Sequence, residues 1–169
     1  IIGGGAIGSA IARRMHDGFD VRIVYNDIKR NTLLETAYDA SHVSLARLLK
    51  ESDFVSVHVP LLPSTRHLIG AAQLKTMKKT AFLINTSRGP VVDEKALVKA
   101  LGKGIIGGAG LDVYEEEPTI NPELRKLSNV ILTPHTASAT HEARNAMSVC
   151  AAKNILAYVA GKRPENLVR

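Results

Sequence analysis

The chain of 169 residues has very little cysteine, few aromatic residues and no long uncharged apolar run. Its single cysteine, Cys150, excludes a disulfide within the chain and agrees with a reducing compartment, so we expect a cytoplasmic location. No apolar stretch is long enough and free enough of charge to span a bilayer. The net charge is +6, but aromatic residues make up only 4% and no basic run is interleaved with them, so nucleic-acid binding is unsupported.

Metal-ligand spacing is also missing, because no His, Cys, Asp and Glu residues cluster as a metal site requires. We therefore predict no metal ion. Short apolar runs instead alternate with segments of helical periodicity. The predicted strands cover residues 21–25, 54–59, 81–85, 107–113 and 129–133, and the predicted helices cover residues 6–15, 45–50, 71–77, 94–101 and 140–160. This alternation implies right-handed crossovers and a parallel sheet covered on both faces.

The beginning of the chain is unusual, because Ile1 and Ile2 are followed directly by glycines. A βαβ unit normally begins with a full apolar strand, whereas only the last residues of one are present here. We therefore expect the chain to be a fragment of a longer protein.

Three glycines after this strand, Gly3, Gly5 and Gly8, match the pattern G-x-G-x-x-G. The first permits a tight turn, the second lets the backbone approach a pyrophosphate, and the third lets the helix pack on the strand. The amino terminus of that helix would face the phosphates with free N–H groups and a partial positive charge. The motif therefore predicts a dinucleotide site.

An acidic residue, Asp27, follows the next predicted strand and lies 19 residues after Gly8. It is placed to accept hydrogen bonds from the ribose hydroxyls of the adenosine. Its charge would repel a 2′-phosphate, which favours NAD over NADP, although Lys29 and Arg30 could reach such a phosphate. Together with the strand–helix alternation, these residues predict an α/β fold with a Rossmann-type doubly wound parallel sheet.

Three further residues each follow an apolar run, and so lie where parallel strands end and ligands bind: Arg88, Glu117 and His135. The planar guanidinium of an arginine matches a carboxylate with two parallel hydrogen bonds. An imidazole can exchange a proton with a carbonyl or hydroxyl oxygen near neutral pH, and a carboxylate can orient its ring. Glu115 and Glu116 rival Glu117 for that role. The set would suit reduction of a 2-oxo acid or oxidation of a 2-hydroxy acid.

The order of these motifs resembles that of the D-isomer-specific 2-hydroxyacid dehydrogenases, a family that includes glyoxylate and hydroxypyruvate reductases, phosphoglycerate dehydrogenases and D-lactate dehydrogenases. The segments that carry the resemblance are Gly3-x-Gly5-x-x-Gly8, Asp27, Val57-His58-Val59-Pro60-Leu61, Asn85-Thr86-Ser87-Arg88-Gly89, Leu111-Asp112-Val113-Tyr114-Glu115-Glu116-Glu117-Pro118 and Thr133-Pro134-His135. They are distributed over nearly the whole chain.

The resemblance implies Arg88 as the anchor of the substrate and its carbonyl, His135 as the acid/base, and Glu117 as the partner of His135. It implies Asp112 as the contact of the nicotinamide carboxamide. The full set of implied coenzyme contacts is Gly3, Gly5, Ala6, Ile7, Gly8, Asp27, Val59, Thr86, Ser87, Arg88, Asp112, His135 and Ser138. It further implies hydride transfer between NAD(H) and a small 2-oxo or 2-hydroxy acid, D-specificity and a homodimer.

Members of this family also carry a substrate domain, mostly ahead of the coenzyme domain. By this resemblance, residues 1–156 form the dinucleotide-binding domain. Residues 157–169 form a tail that returns toward a substrate domain largely missing from this chain.

Two other functions share parts of this pattern. Transcriptional corepressors that resemble the family use the same fold as a coenzyme-sensing scaffold, and site residues alone do not separate them from enzymes. An amino-acid dehydrogenase would usually need a lysine near the nicotinamide, and none is suitably placed. The arginine, glutamate and histidine together favour the hydroxyacid dehydrogenase.

Overall fold

The computed structural model describes residues 1–167, which divide into two compact units, Ile1–Pro134 and the residues from His135 onward. Residues 168 and 169, the end of the predicted tail, lie outside the described residues. The strands are β1 (Val24–Tyr25), β2 (Ser41–His42), β3 (Phe54–Val57), β4 (Phe82–Asn85), β5 (Gly108–Leu111) and β6 (Val130–Leu132). The helices are α1 (Ala6–Phe19), α2 (Thr32–Tyr38), α3 (Leu45–Glu51), α4 (Ala71–Thr76), α5 (Glu94–Gly102), α6 (Pro122–Arg125) and α7 (His141–Val159).

The sheet of the first unit is parallel, with neighbours in the order β3-β4-β5-β6 and a separate parallel pair β1-β2. Ile2 joins the two groups, because it forms parallel bridges with both Asn26, directly after β1, and Val57 of β3. The strand order therefore reverses at Ile2, which confirms the predicted doubly wound α/β arrangement. In such sheets ligands bind where the order reverses, outside the carboxyl ends of the strands.

Side chains at the helix amino termini explain where several helices begin. Ser44 before α3, Asp93 before α5 and Thr140 before α7 each accept a hydrogen bond from a backbone N–H of the first turn, at 3.3, 2.9 and 3.1 Å. The sequence predicts the first two of these caps. α7 ends just before Gly161, whose φ of 68° is of the kind that terminates a helix.

Two clusters of apolar side chains form the core of the first unit. The larger one packs the central strands, including the fully buried Val55 and Leu83, against α3, α4 and α5, with Leu97 as a buried member of α5. The smaller one packs α1 and α2 against β1 through Ala12 and Leu34. The second unit differs, because α7 has no buried residue. Within the described residues, no helix combines the length and apolar character that crossing a membrane would require.

The structure differs from the sequence-based expectations in several short elements. β1 is limited to Val24–Tyr25, whereas the sequence predicts a strand from residue 21. The sequence does not predict α2, α6 or β2, and β2 consists of only two exposed residues, Ser41–His42. Apolar spacing predicts Ile7, Ile11 and Met15 on one face of α1. The last two pack against the smaller core cluster, but Ile7 is 68% exposed.

We expect Leu83→Ala to lower the free energy of unfolding by about 2–5 kcal/mol, because Leu83 is fully buried and truncation leaves a cavity. Leu33 is 62% exposed on α2 and offers a matched control, so Leu33→Ala should cost under about 1 kcal/mol. Urea unfolding of both variants measures the difference. Equal losses would contradict the assignment of Leu83 to the core.

Candidate active site

The glycine loop between Ile2 and α1 depends on glycine at two of its three motif positions. Gly3 has a φ of 96°, and a Cβ built on it would lie 2.8 Å from the backbone of His58. A Cβ on Gly8 would lie 1.9 Å from the carbonyl oxygen of Gly3, so that α1 packs against the loop only through glycine. A Cβ on Gly5, in contrast, would meet nothing within 4 Å. Gly5 therefore faces open space at the switch point of the sheet.

The amino terminus of α1 has the features of a phosphate site. Gly5 is its N-cap without a side-chain hydrogen bond, and its first turn contains no acidic residue. Ala6 and Ile7 in that turn are exposed. Backbone N–H groups and the helix dipole at such an end favour an anion. The residues present thus fit the pyrophosphate of a dinucleotide.

Asp27 lies beside this loop, as the motif predicts. Its Oδ2 accepts a hydrogen bond from the Gly4 N–H at 2.7 Å, and its Oδ1 accepts one from the Lys29 N–H at 3.2 Å. The loop is also held by Asn31, whose side-chain amide donates to the Gly4 carbonyl at 2.7 Å. Sequence reasoning missed Asn31, although an asparagine directly before a helical segment is a signal for a cap, and Asn31 does cap α2.

The segment after β4 is organised by the side chain of Asn85, which is only 1% exposed. Its Oδ1 accepts from the N–H of Ser87 at 3.1 Å and from the Ser87 hydroxyl at 2.9 Å. Its Nδ2 donates to the carbonyl of Arg88 at 3.0 Å. Thr86 and Arg88 are exposed, and the Arg88 guanidinium donates to the Ser87 carbonyl at 2.6 Å. The buried amide therefore fixes the backbone from which Arg88 projects.

The ends of β4, β5 and β6 are bonded to one another. Asp112, only 4% exposed, donates its N–H to the Asn85 carbonyl at 3.0 Å, and its Oδ1 accepts from the Thr133 hydroxyl at 2.5 Å. Gly89 packs against the segment after β5, because a Cβ there would lie 1.9 Å from the carbonyl carbon and oxygen of Tyr114. The backbones of the segments that carry Arg88 and Asp112 are therefore in direct contact.

The three glutamates after Tyr114 have different surroundings. Glu115 is bonded to the imidazole Nε2 of His67, which lies on a loop and is 40% exposed. Glu117 accepts from the Tyr114 N–H at 3.0 Å and is exposed, as is Glu116. The pairing of Glu115 with His67 makes it the weaker rival of Glu117 for an imidazole elsewhere.

The remaining predicted residues lie in loops. Val59 follows β3 and is half-buried, and its Cγ1 would be 3.0 Å from a Cβ on Gly3. His135 and Ser138 belong to the second unit, precede α7 and are exposed. His135 has a φ of 54°, in the left-handed region that few residues other than glycine adopt. In the described part of the chain, no three His, Cys, Asp or Glu side chains gather as a metal site would require.

A glycine loop at the switch point of a parallel sheet, with an acid at the end of the neighbouring strand, defines a dinucleotide-binding domain of Rossmann type. Comparison with known proteins agrees. The sequence model "D-isomer specific 2-hydroxyacid dehydrogenase, NAD binding domain" matches residues 1–137. The chain therefore belongs to the D-isomer-specific 2-hydroxyacid dehydrogenase family, and it matches the NAD-binding domain of that family.

Similar proteins include the glyoxylate reductases of Thermococcus litoralis and Pyrococcus furiosus, which are 54% and 52% identical over 168 residues. These alignments cover 99% of this chain and 50% of each relative, so the chain spans about half the length of the curated relatives it matches. Among solved structures, the D-lactate dehydrogenase of Lactobacillus jensenii with NAD⁺ has a TM-score of 0.90 at 33% identity, over 99% of this chain and 54% of that one. The holo D-mandelate dehydrogenase of Rhodotorula graminis has a TM-score of 0.92 at 37% identity, over 99% and 50%.

We expect Gly89→Ala to destabilise the junction of the Arg88 and Tyr114 segments, because the new methyl group would overlap the Tyr114 backbone. Overpacking of this kind costs about 1–3 kcal/mol, and NADH binding should weaken with it. Gly102→Ala is the control, since a Cβ at Gly102 would come no closer than 3.9 Å to Leu127. Thermal unfolding and coenzyme titration of both variants test this expectation. A Gly89→Ala variant as stable as the control would refute the close contact.

We also expect His58 to make the fold acid-sensitive. Burial lowers the pKa of this histidine from 6.5 to about 4, while its Nε2 bonds to the Ser56 hydroxyl at 2.8 Å. As the pH is lowered, the unfolded chain binds a proton near pH 6.5, whereas the folded chain does not bind it until about pH 4. The free energy of unfolding therefore falls as the pH is lowered through this range. Urea unfolding at about pH 7 and about pH 5 should show a smaller loss for His58→Gln than for the wild type. An identical loss of unfolding free energy in the variant and the wild type would exclude His58 as a cause of the acid sensitivity.

Proposed function

We propose that the protein containing this chain is an NAD-dependent dehydrogenase that reduces a small 2-oxo acid, such as glyoxylate or hydroxypyruvate, to the D-2-hydroxy acid, or catalyses the reverse reaction. The observation that carries the proposal is the buried Asn85 that fixes the Arg88 segment beside Asp112, on the sheet edge that also carries the glycine loop. Similarity to glyoxylate reductases supports the substrate class.

The coenzyme contacts follow the residues described above. The loop of Gly3, Gly5 and Gly8, with the N–H groups of the first turn of α1, would hold the pyrophosphate. Asp27 would accept hydrogen bonds from the adenosine ribose, and Asp112 would bind the nicotinamide carboxamide. The coenzyme, when bound, supplies or accepts the hydride. The residues Ala6, Ile7, Val59, Thr86, Ser87, His135 and Ser138 would complete its surroundings.

Arg88 would bind the substrate, because its exposed guanidinium can form two parallel charge-assisted bonds with a carboxylate and can also reach a carbonyl oxygen. The backbone carbonyl of Arg88 is already bonded to Asn85. Only the side chain must then be ordered on binding, which lowers the entropic cost of forming the complex.

His135 would donate a proton to the carbonyl oxygen of the 2-oxo acid as the carbon is reduced, and would remove the hydroxyl proton in the reverse direction. Glu117 would bond the other imidazole nitrogen and so orient the ring and fix its tautomer.

We infer that the coenzyme is NAD rather than NADP. The carboxylate of Asp27 is negatively charged and fixed by two backbone N–H groups beside the glycine loop. A 2′-phosphate on the ribose would meet this charge at close range. The domain match and the NAD⁺ complex of a similar structure support the same coenzyme.

We further infer that the protein is a cytoplasmic homodimer. α7 exposes Met147, Ile155, Leu156 and Tyr158, a quantity of apolar surface that favours association with another protein surface. The exposed free thiol of Cys150 suits a reducing compartment. Residues 1–156 would form the coenzyme domain, and residues 157–169 would return toward the substrate domain of the full-length protein. A monomer in light scattering would contradict the dimer.

The experiment is to express the full-length protein and follow the absorbance of NADH and NADPH with glyoxylate, hydroxypyruvate, pyruvate and larger 2-oxo acids. Oxidation of NADH by one or more of these acids would establish the activity and define the size of the substrate. Tight NADH binding without turnover on any acid would contradict the enzyme and would instead favour a coenzyme-sensing scaffold.

We expect His135→Asn in the full-length protein to reduce kcat by about 10²–10⁴-fold, because the proton donor is lost. NADH binding should stay within about twofold of the wild type, since the change removes no phosphate or ribose contact. His141→Asn is the matched control, because His141 is an exposed histidine on the first turn of α7 and should leave kcat unchanged. Comparable turnover of His135→Asn and the control would remove His135 as the acid/base.

A further inference from the structure

Arg30, one of the two cations that could reach a 2′-phosphate, is engaged by a carboxylate. Its Nε donates to Oε1 of Glu35 at 3.0 Å, and its Nη2 donates to Oε2 at 2.7 Å. The guanidinium and the carboxylate thus form two roughly parallel bonds, the geometry that makes arginine pairs strong and specific. Although the Arg30 side chain is 69% exposed, this geometry separates the pair from ordinary surface ion pairs.

The carboxylate itself is held by a buried tyrosine. The hydroxyl of Tyr25 donates to Oε1 of Glu35 at 2.7 Å and accepts from the N–H of Asn31 at 2.7 Å. Tyr25 is fully buried under the glycine loop, where its ring would be 3.1 Å from a Cβ on Gly4. Hydrogen bonds from Arg30 and Tyr25 hold the pKa of the Glu35 carboxyl below its usual value, so it stays ionised. Glu35 is therefore a fixed acceptor.

Arg30 lies in the loop between β1 and α2 that begins with Asp27. This loop turns back on the Asp27 carboxylate, which accepts from the Lys29 N–H. A ribose bound by Asp27 would place its 2′ position beside this loop. Arginine near this position is the usual means by which such folds accommodate a 2′-phosphate. The arginine that could serve NADP is thus present but bonded to Glu35.

We propose that Glu35 is a coenzyme-specificity residue, which holds the guanidinium of Arg30 in a two-bond pair and so withholds it from a 2′-phosphate. Discrimination against NADP(H) then has two parts. Asp27 repels the phosphate, and Glu35 engages Arg30, one of the two cations that could attract it. This inference rests on the proposed function, since it requires a dinucleotide at the glycine loop.

The test is isothermal titration calorimetry of the full-length protein with NADH, NADPH and adenosine 2′,5′-bisphosphate. The variants are Glu35→Gln, Arg30→Met and the double variant. Glutamine keeps an oxygen for the Tyr25 hydroxyl but loses the charge and one of the two acceptors. Glu51→Gln is the matched control, because Glu51 also pairs with an arginine, Arg47, at 2.7 Å, on α3. It removes the same charge from a different helix.

Glu35→Gln should lower the Kd for NADPH and for the bisphosphate by about tenfold, the effect of one charge-assisted contact with a phosphate. The Kd for NADH should stay within about twofold, and Glu51→Gln should change none of the three values. The gain should disappear in the double variant. Arg30→Met alone should leave NADPH binding unchanged, because the paired guanidinium contributes nothing to it.

Three results would overturn the inference. One is an unchanged preference for NADH in folded Glu35→Gln, and another is a gain that survives Arg30→Met. The third is weaker NADPH binding in Arg30→Met alone, which would show that Arg30 already contacts the phosphate. This variant tests whether Arg30 is withheld from the phosphate even if Glu35→Gln does not fold. A wild-type protein that binds neither coenzyme would instead overturn the proposed function itself, and the inference with it.

Discussion

The carboxyl edge of the sheet depends on the hydrogen bonds of one buried amide, the side chain of Asn85. This side chain bonds to Ser87 and Arg88, and the backbone carbonyl of Asn85 accepts from Asp112. Leaving one buried polar group unsatisfied costs about 1–3 kcal/mol, so the amide strongly favours this single arrangement. Because Gly89 then packs directly on the Tyr114 backbone, the Arg88 and Asp112 segments cannot shift independently. A site that must align a substrate anchor with a coenzyme benefits from this rigidity.

The other half of this edge, at the glycine loop, is held by different interactions. There, close packing through Gly3 and Gly8 brings the helix end to the sheet, and Asp27 and Asn31 tie the loop from the side. The bonds of Asn31 extend through Tyr25 and Glu35 to Arg30, so the geometry of the glycine loop is linked to the position of this guanidinium. The parallel topology explains why both halves face one way, since every strand of such a sheet ends at the same edge.

The sequence predicts the strand–helix alternation, the glycine loop and the acid after β1, because each rests on a local pattern with a local physical cause. It does not predict β2, because two exposed residues carry no alternation of apolar and polar side chains. It also leaves Glu115 and Glu117 as rivals, since the partner of Glu115 is His67, 48 residues away along the chain. The sequence also does not predict the bracing role of Asn85. It places Asn85 at the end of a predicted strand, with no pattern that indicates the bonds of its side chain to Ser87 and Arg88. The pairing of β2 with β1 and that of Glu115 with His67 depend on contacts between separate segments, which no local pattern contains.

We propose that a dinucleotide binds along this edge, on the glycine loop and beside the Arg88 segment. Hydrogen–deuterium exchange of the full-length protein with and without NADH tests it most directly. We expect slower amide exchange on NADH binding in residues 4–8 and in residues 85–88, and no change in the exposed residues of α3. Tight binding of NADH with unchanged exchange in both of these segments would contradict it.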